Sequence, residues 1–206
     1  MKLKKMTNKF IIFIFLFTQL TCFSQDINKG LDVLKKLETK FNKTQNIKGE
    51  VKYVTSSVNT KGLFYVKGNN FLIQSDKIEI INNNKDNCII YPEYKEITLT
   101  KNNHSIVFFP LKNFINFCIN ECKYRNKEEN GINIVDIYPN PNIKSKYRKI
   151  EIKTKNTEIK SIKLFHKNGL EEDIYFSNIK YSEKIPDSLF IINKKKYKEF
   201  EITDLR

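Results

Sequence analysis

The chain has 206 residues, with 37 Lys and Arg against 23 Asp and Glu and a formal net charge of +14. That length holds one domain or two small ones, and 40% hydrophobic with 13% aromatic content excludes general disorder. Two His and no Trp speak against a His-built metal site, and no apolar run reaches the roughly 18 residues of a membrane-spanning helix.

Residues 1–24 differ in character from the rest of the chain. Lys2, Lys4, Lys5 and Lys9 precede an unbroken apolar run from Phe10 to Phe17, and small residues stand at Cys22 and Ser24. This is the pattern of a secretory signal peptide cut after Ser24 or Gln25. A retained anchor would need a longer run. Gln19-Leu20-Thr21 lacks the aliphatic residue expected three positions ahead of a lipoprotein-processing Cys22. The expected organisation is therefore a signal peptide at 1–24 and a single domain at 25–206. Cleavage removes four lysines and no acids, lowering the net charge from +14 to +10. For an exported protein such charge suits anionic headgroups or an acidic partner face better than nucleic acid. The plainer reading is a bias of the whole chain, with Lys as the default solvated residue, as in Asn82-Asn83-Asn84-Lys85.

Ile27, Leu31, Leu34, Leu37 and Phe41 recur at spacings of three and four, with lysines on the rest of the wheel, which predicts an amphipathic helix over about 27–45. Period-2 patterns then begin at Val51 and Tyr53, and continue through Gly62–Gly68, Phe71–Ile73, Ile78 with Ile80, Ile89–Tyr91, and Ile97 with Leu99. Short strands at short spacings predict a meandering antiparallel sheet or barrel. Phe108 to Ile119 breaks the rhythm with a wide apolar arc at helical spacing. Such a helix is either part of a solid core or a plug over a cavity, and periodicity does not separate the two. Strand patterns resume at Ile132–Tyr138, Ile150–Ile152, Ile159–Phe165 and Ile174–Tyr181, with Asn168-Gly169 as a hairpin turn. The chain closes on Asp187–Phe190 and Tyr197–Ile202.

Beyond the signal peptide three cysteines remain, an odd number. Cys118 and Cys122 sit four apart on the predicted helix, a poor geometry for a mutual bridge. Buried apolar cysteines are expected, with a long-range bridge through Cys88 left open. No metal site is expected.

Catalytic equipment is absent from the pattern. There is no Walker loop, no GxGxxG and no Gly-x-Ser-x-Gly elbow. His104, in Asn102-Asn103-His104-Ser105, reads as a surface residue, His166 as a solvent-facing strand end, and Glu171-Glu172-Asp173 as surface charge. No enzyme and no cofactor are expected.

Several stretches in order carry a resemblance: "GLFYVKGNNF" (Gly62 to Phe71), "YPEYKEITLT" (Tyr91 to Thr100), "KIEIKTKNTEIKSIKLFHKNG" (Lys149 to Gly169) and the ending "DSLFIINKKKYKEFEITDLR" (Asp187 to Arg206). Together they resemble the LolA family of periplasmic outer-membrane lipoprotein carriers, in the form found in Bacteroidetes. The family's ending has a Ser-Leu-Phe strand leading to a Lys-Tyr segment.

The resemblance implies an α+β fold: one strongly curved antiparallel sheet, an incomplete β-barrel, with helices packed in its concave face. It implies a periplasmic chaperone that shields lipoprotein acyl chains in a hydrophobic cavity between the inner and outer membranes. The implied partners are acylated lipoproteins, an inner-membrane ABC lipoprotein exporter, and the outer membrane or a receptor on it; a monomer is expected. Proteobacterial members carry an Arg directly after a Trp-Val-Lys, implicated in discharge; here Tyr65-Val66-Lys67 is followed by Gly68.

The residues suited to lining such a cavity are Phe64, Val66, Phe71, Ile73, Ile78, Ile80, Ile97 and Leu99 from the sheet, and Phe108, Leu111, Phe114, Ile115 and Phe117 from the plug. Each serves equally well as plain core. The rival reading is a β-rich envelope scaffold with a solid core that binds protein or headgroups through a basic face.

Overall fold

The computed structural model describes residues 28–101, 109–192 and 196–206. The signal-peptide residues, Ile27, His104 and Phe108 lie outside that set.

Helix α1 covers 28–43 and is followed by six strands: β1 (Asn46–Val54), β2 (Asn59–Lys67), β3 (Asn70–Ser75), β4 (Glu79–Asn82), β5 (Asp86–Tyr91) and β6 (Glu96–Lys101). Helix α2 (Leu111–Glu121) runs directly into β7 (Cys122–Glu129). Then come β8 (Ile132–Pro139), β9 (Tyr147–Lys155), β10 (Glu158–His166) and β11 (Glu171–Tyr181), a 3-10 turn at Asp187–Phe190, and β12 (Glu201–Asp204). All twelve strands join one sheet in the order β12-β6-β5-β4-β3-β2-β1-β11-β10-β9-β8-β7. The two halves of the meander meet where β1 pairs with β11, and the sheet is not closed. This is the expected α+β open sheet. One pairing departs from antiparallel: β12 adds to the β6 edge in parallel.

Two cores lie on opposite faces. The larger joins Leu34, Leu37 and Phe41 of α1 and Leu111, Phe114, Ile115 and Cys118 of α2 to the inward rows of the long strands. The smaller joins Leu72, Ile81, Cys88, Ile90, Ile97 and Leu99 on the back of β3–β6 to Ile185, Phe190 and Tyr197 of the C-terminal segment. Consecutive buried residues Phe71, Leu72 and Ile73 show why: β3 is covered on both sides. The C-terminal strap is held by Glu79, which accepts hydrogen bonds from Lys196 Nζ at 2.8 Å and Tyr197 Oη at 2.7 Å.

Three expectations are corrected here. Cys122 is not on the helix; it is the first residue of β7, so it does not share a helical face with Cys118. β7 itself went unpredicted because its outward positions are Lys123, Arg125 and Lys127, the charges that protect an edge strand. The Ser-Leu-Phe stretch is a 3-10 turn rather than a strand, set by Pro186 at its start.

Cys88, Cys118 and Cys122 are all free and buried, as the apolar reading expects.

Candidate functional site

The centre of the helix-bearing face is aromatic. Phe64 of β2 lies 5.5 Å from Phe109 and 5.7 Å from Phe176 of β11, centroid to centroid, and Phe71 of β3 stacks on Phe109 at 5.6 Å. Phe109 lies just ahead of α2, so this cluster anchors the helix entry. Room for the Phe64 ring exists because residue 49 of β1 is glycine: a Cβ there would stand 2.8 Å from Phe64 Cε1.

α2 turns Leu111, Phe114, Ile115 and Cys118 inward, the i, i+3, i+4, i+7 set of one helical face. Its own sequence supports it poorly. It is 11 residues long, is preceded by Pro110 with no side-chain cap, and has no acid in its first turn or base in its last. Helices of that length are marginal alone, so α2 exists because its apolar face is covered.

From this cluster a cross-strand row runs Phe64–Ile73–Ile80–Ile89. Phe64 and Ile73 are buried, whereas Ile80 and Ile89 are half-buried, as is the neighbouring Ile78. The candidate lining residues therefore separate. Phe64, Val66, Phe71, Ile73, Leu111, Phe114 and Ile115 belong to one buried core, with Ile80 and Phe117 packed at its margin. Ile97 and Leu99 face the other way, into the smaller core beneath the C-terminal strap. Alternation shows that Ile97 and Leu99 share a face but not which one. The register decides it, since Ile97 pairs with Ile90 and Leu99 with Cys88, both in the back core.

A polar cluster escaped prediction. His166 is not a solvent-facing strand end; it is 7% exposed, and its Nε2 lies 2.6 Å from Glu172 Oε1. That close contact is not a hydrogen bond, since His166 Nε2 has no hydrogen-bond partner among the described residues; Glu172 accepts a hydrogen bond from Tyr53, and the His166 ring meets Tyr147 edge-on at 4.8 Å. Burial, reinforced by Glu172, pushes the Tyr53 hydroxyl up to about 12, and burial with the same charge raises Tyr147. Both remain proton donors at neutral pH. The acidic triplet is correspondingly split. Glu171 and Asp173 pair with Lys163 on the outer face, at 2.9 and 3.5 Å, while Glu172 points inward. Alternation held the signal: His166 continues Ile162 and Leu164, and Glu172 precedes Ile174 and Phe176 in the same parity.

The outer face of β8–β11 is a ladder of opposite charges, including Lys149 with Asp136 at 3.0 Å and Lys153 with Glu151 at 3.3 Å. Each pair contributes little to stability. Among the described residues no group of three or more His, Cys, Asp and Glu is placed to hold a metal, and no helix is long and apolar enough to cross a membrane.

The described residues form an open twelve-stranded sheet with two helices on one face. Residues 33–193 match the family described as "Outer membrane lipoprotein carrier protein LolA", and the chain belongs to that family. An uncharacterized conserved protein from Thermus thermophilus superposes with a TM-score of 0.56 at 7% identity, over 84% of this chain and 97% of that one. MucB superposes with a TM-score of 0.53 at 12% identity, over 80% of this chain and 62% of its own. At such identities the likeness concerns the fold alone. No curated protein sequence matches the chain.

Proposed function

We propose that the chain, once its signal peptide is removed at residue 24, is a periplasmic carrier that takes the acyl chains of lipoproteins from an inner-membrane ABC exporter and delivers them to the outer membrane. The observation that carries this reading is α2: a short, uncapped helix whose apolar face shares one buried core with the aromatic centre of an open sheet. Burying a methylene stabilises by about 0.8 kcal/mol, so one long acyl chain is worth of order 10 kcal/mol. Leu111, Phe114 and Ile115, at about 1.5–3 kcal/mol each, resist displacement of α2 by roughly 5–9 kcal/mol. Two opposing quantities of similar size make loading reversible, which a carrier needs. The helix leaves, the tail occupies its apolar footprint on Phe64, Phe71 and Ile73, and discharge restores the packed state. Aromatic and branched side chains set no hydrogen-bonding requirement along that footprint, so tails of different length fit.

Gly68 stands where proteobacterial members have an Arg. Its φ of +59° closes the β2–β3 turn, a conformation that disfavours any side chain. A discharge step relying on that Arg is therefore not assigned to this chain. Ile97 and Leu99 are left out of the acyl footprint, since they serve the strap's core.

The scaffold reading, with binding through a basic strand face, finds least support on β8–β11, where Lys149, Lys153 and Lys163 are paired with acids. The test is extraction of an acylated lipoprotein from membranes into a soluble complex by the purified protein. Replacing Phe114 and Phe117 with Asp abolishes extraction on this account; unchanged extraction contradicts it. A fluorescent fatty acid separates the two readings: saturable, salt-insensitive uptake supports the carrier, and salt-sensitive vesicle binding without uptake supports the scaffold.

A further inference from the structure

Helix α1 presents a row of unpaired cations to solvent. Lys29, Lys36 and Lys43 are spaced by seven residues, close to two full turns, so they lie along one stripe about 10 Å apart. Lys35 stands beside them, and all four are exposed. Among the described residues none of the four makes an ion pair or a side-chain hydrogen bond. The lysines of β9 and β10 behave differently, since Lys149, Lys153 and Lys163 are each paired with acids. Over residues 28–43 the helix carries five lysines against Asp32 and Glu38, a net charge of +3, and only Asp32 of the two acids is exposed.

The row is rigidly presented. On the opposite side of the helix Leu34, Leu37 and Phe41 are 0–4% exposed. In the first turn Gly30 lies so close to β7 that a Cβ would stand 3.2 Å from Tyr124 Cδ2. Near the other end the fifth lysine, Lys40, turns back to the sheet. Its Nζ donates to the Thr157 carbonyl at 3.3 Å and sits 4.1 Å from the centre of the Tyr181 ring. The chemistry of the stripe restricts its complement. Its remaining exposed members are Asn28, Thr39 and Asn42. No aromatic, Met or Arg side chain stands among them, and those are the anchors from which protein interfaces draw their energy, whereas Lys is depleted there. A flat row of solvated ammonium groups is matched instead by an extended anionic surface, where each Lys contributes about five-fold to binding.

We propose that the outer row of α1, Lys29, Lys36 and Lys43 with Lys35, docks the protein on the anionic headgroups of a lipid leaflet. α1 and α2 cover the same face of the sheet and share one core, so docking through α1 turns the α2 side toward the bilayer. The docking site stands without the carrier reading; its use, to present α2 where acyl chains are exchanged, deepens that reading and rests on it.

The test uses the purified processed chain and sedimentation with phosphatidylcholine vesicles, either pure or containing about one-third phosphatidylglycerol. The wild type co-sediments with the anionic vesicles and not with the neutral ones, and is released as ionic strength rises through about 0.15 M, where exposed charges are screened beyond about 8 Å. Lys36→Gln with Lys43→Gln weakens that binding about 25-fold, the square of the single-lysine factor. Lys77→Gln with Lys85→Gln is the control. It takes the same charge from exposed positions in the β3–β4 and β4–β5 turns, and keeps the binding within about two-fold. Uptake of a fluorescent fatty acid is unchanged in both double variants. Its transfer from the loaded wild type is faster to anionic than to neutral vesicles, a difference that Lys36→Gln with Lys43→Gln removes. Equal binding of the wild type to anionic and neutral vesicles overturns docking through α1, leaves the carrier standing, and makes an acidic protein the complement of the row. Equal losses in the two double variants overturn it as well. Transfer at one rate to both kinds of vesicle overturns the orientation of α2 toward the bilayer. Anionic-vesicle binding by a wild type that takes up no fatty acid supports the docking site and overturns the carrier reading.

Discussion

Gly49→Ala is the most informative single change to the core. The new Cβ would stand 2.8 Å from Phe64 Cε1, 3.1 Å from its Cζ and 3.0 Å from the Ser177 carbonyl oxygen. The carbonyl lies at the irregularity in the β1–β11 pairing opposite Gly49, and the shorter of the contacts is to the ring, so the ring takes most of the displacement. It cannot move freely, because Phe109 and Phe176 lie 5.5 and 5.7 Å away and Phe64 is 0% exposed. Overpacking of this kind costs about 1–3 kcal/mol. Replacing a mid-strand glycine by alanine returns about 0.5–1 kcal/mol. The net loss spans about 0–2.5 kcal/mol and is centred on about 1.3 kcal/mol, which lowers the thermal midpoint by about 3–5 °C for a domain of this size. Circular dichroism melting measures it. Because the strain passes through one ring, Phe64→Leu in the Gly49→Ala background recovers part of the loss, and the double-mutant cycle shows coupling of about 0.5–3 kcal/mol. A midpoint for Gly49→Ala at or above the wild-type value, or strictly additive effects of the two changes, refutes the reasoning.

Three further outcomes are expected. Burial pushes Glu79 upward, but hydrogen bonds from Lys196, Tyr197 and Gln74 outweigh it and hold the carboxyl below the usual range. A depressed folded-state value contributes stability above the unfolded carboxylate range near pH 4.3, and that stability disappears as pH falls through the folded value. Amide exchange in β12 therefore accelerates below about pH 4, and Glu79→Gln flattens that acid step; an identical step in the variant contradicts the latch. Burial pushes Cys88 up to about 11 and Cys122 up to about 12, so the native protein reacts slowly with thiol reagents at pH 8, whereas unfolding exposes Cys88, Cys118 and Cys122 together. A denatured sample of the processed chain with one titratable thiol instead of three would show that two of them are bridged. Finally, Tyr147→Phe raises stability by about 1 kcal/mol by removing an orphaned buried hydroxyl; an equal loss would mean that the hydroxyl is satisfied in the native state.

Much of the fold was legible because its strands alternate and its first helix has a single stripe. Leu34, Leu37 and Phe41 were readable from spacing alone, and all three are buried. β7 was hidden because an edge strand carries charge where a central strand carries apolar side chains. The division of the candidate lining was hidden for another reason. Period-2 alternation assigns residues to faces in pairs, but only the strand order says which face a pair occupies, and β3–β6 are covered on both. Ile97 and Leu99 thus have the composition of lining residues and the position of strap core. His166 and Glu172 misled by type, since charged residues beside an Asn-Gly hairpin are usually solvated. Their parity with Leu164 and Ile174 was the better guide. The excess of positive charge, prominent in the sequence, is partly offset on the outer face of β8–β11, where the lysines of β9 and β10 pair with acids of β8, β9 and β11.

The account stands on α2 being displaceable by lipid. The direct measurement is hydrogen–deuterium exchange of the amides of residues 111–121 in the purified protein, with and without a diacyl lipopeptide at saturating concentration. The account predicts that exchange within α2 rises sharply on lipid binding while β9–β11 keep their protection. Saturation of the protein with lipid while α2 stays as protected as in the free form would contradict it.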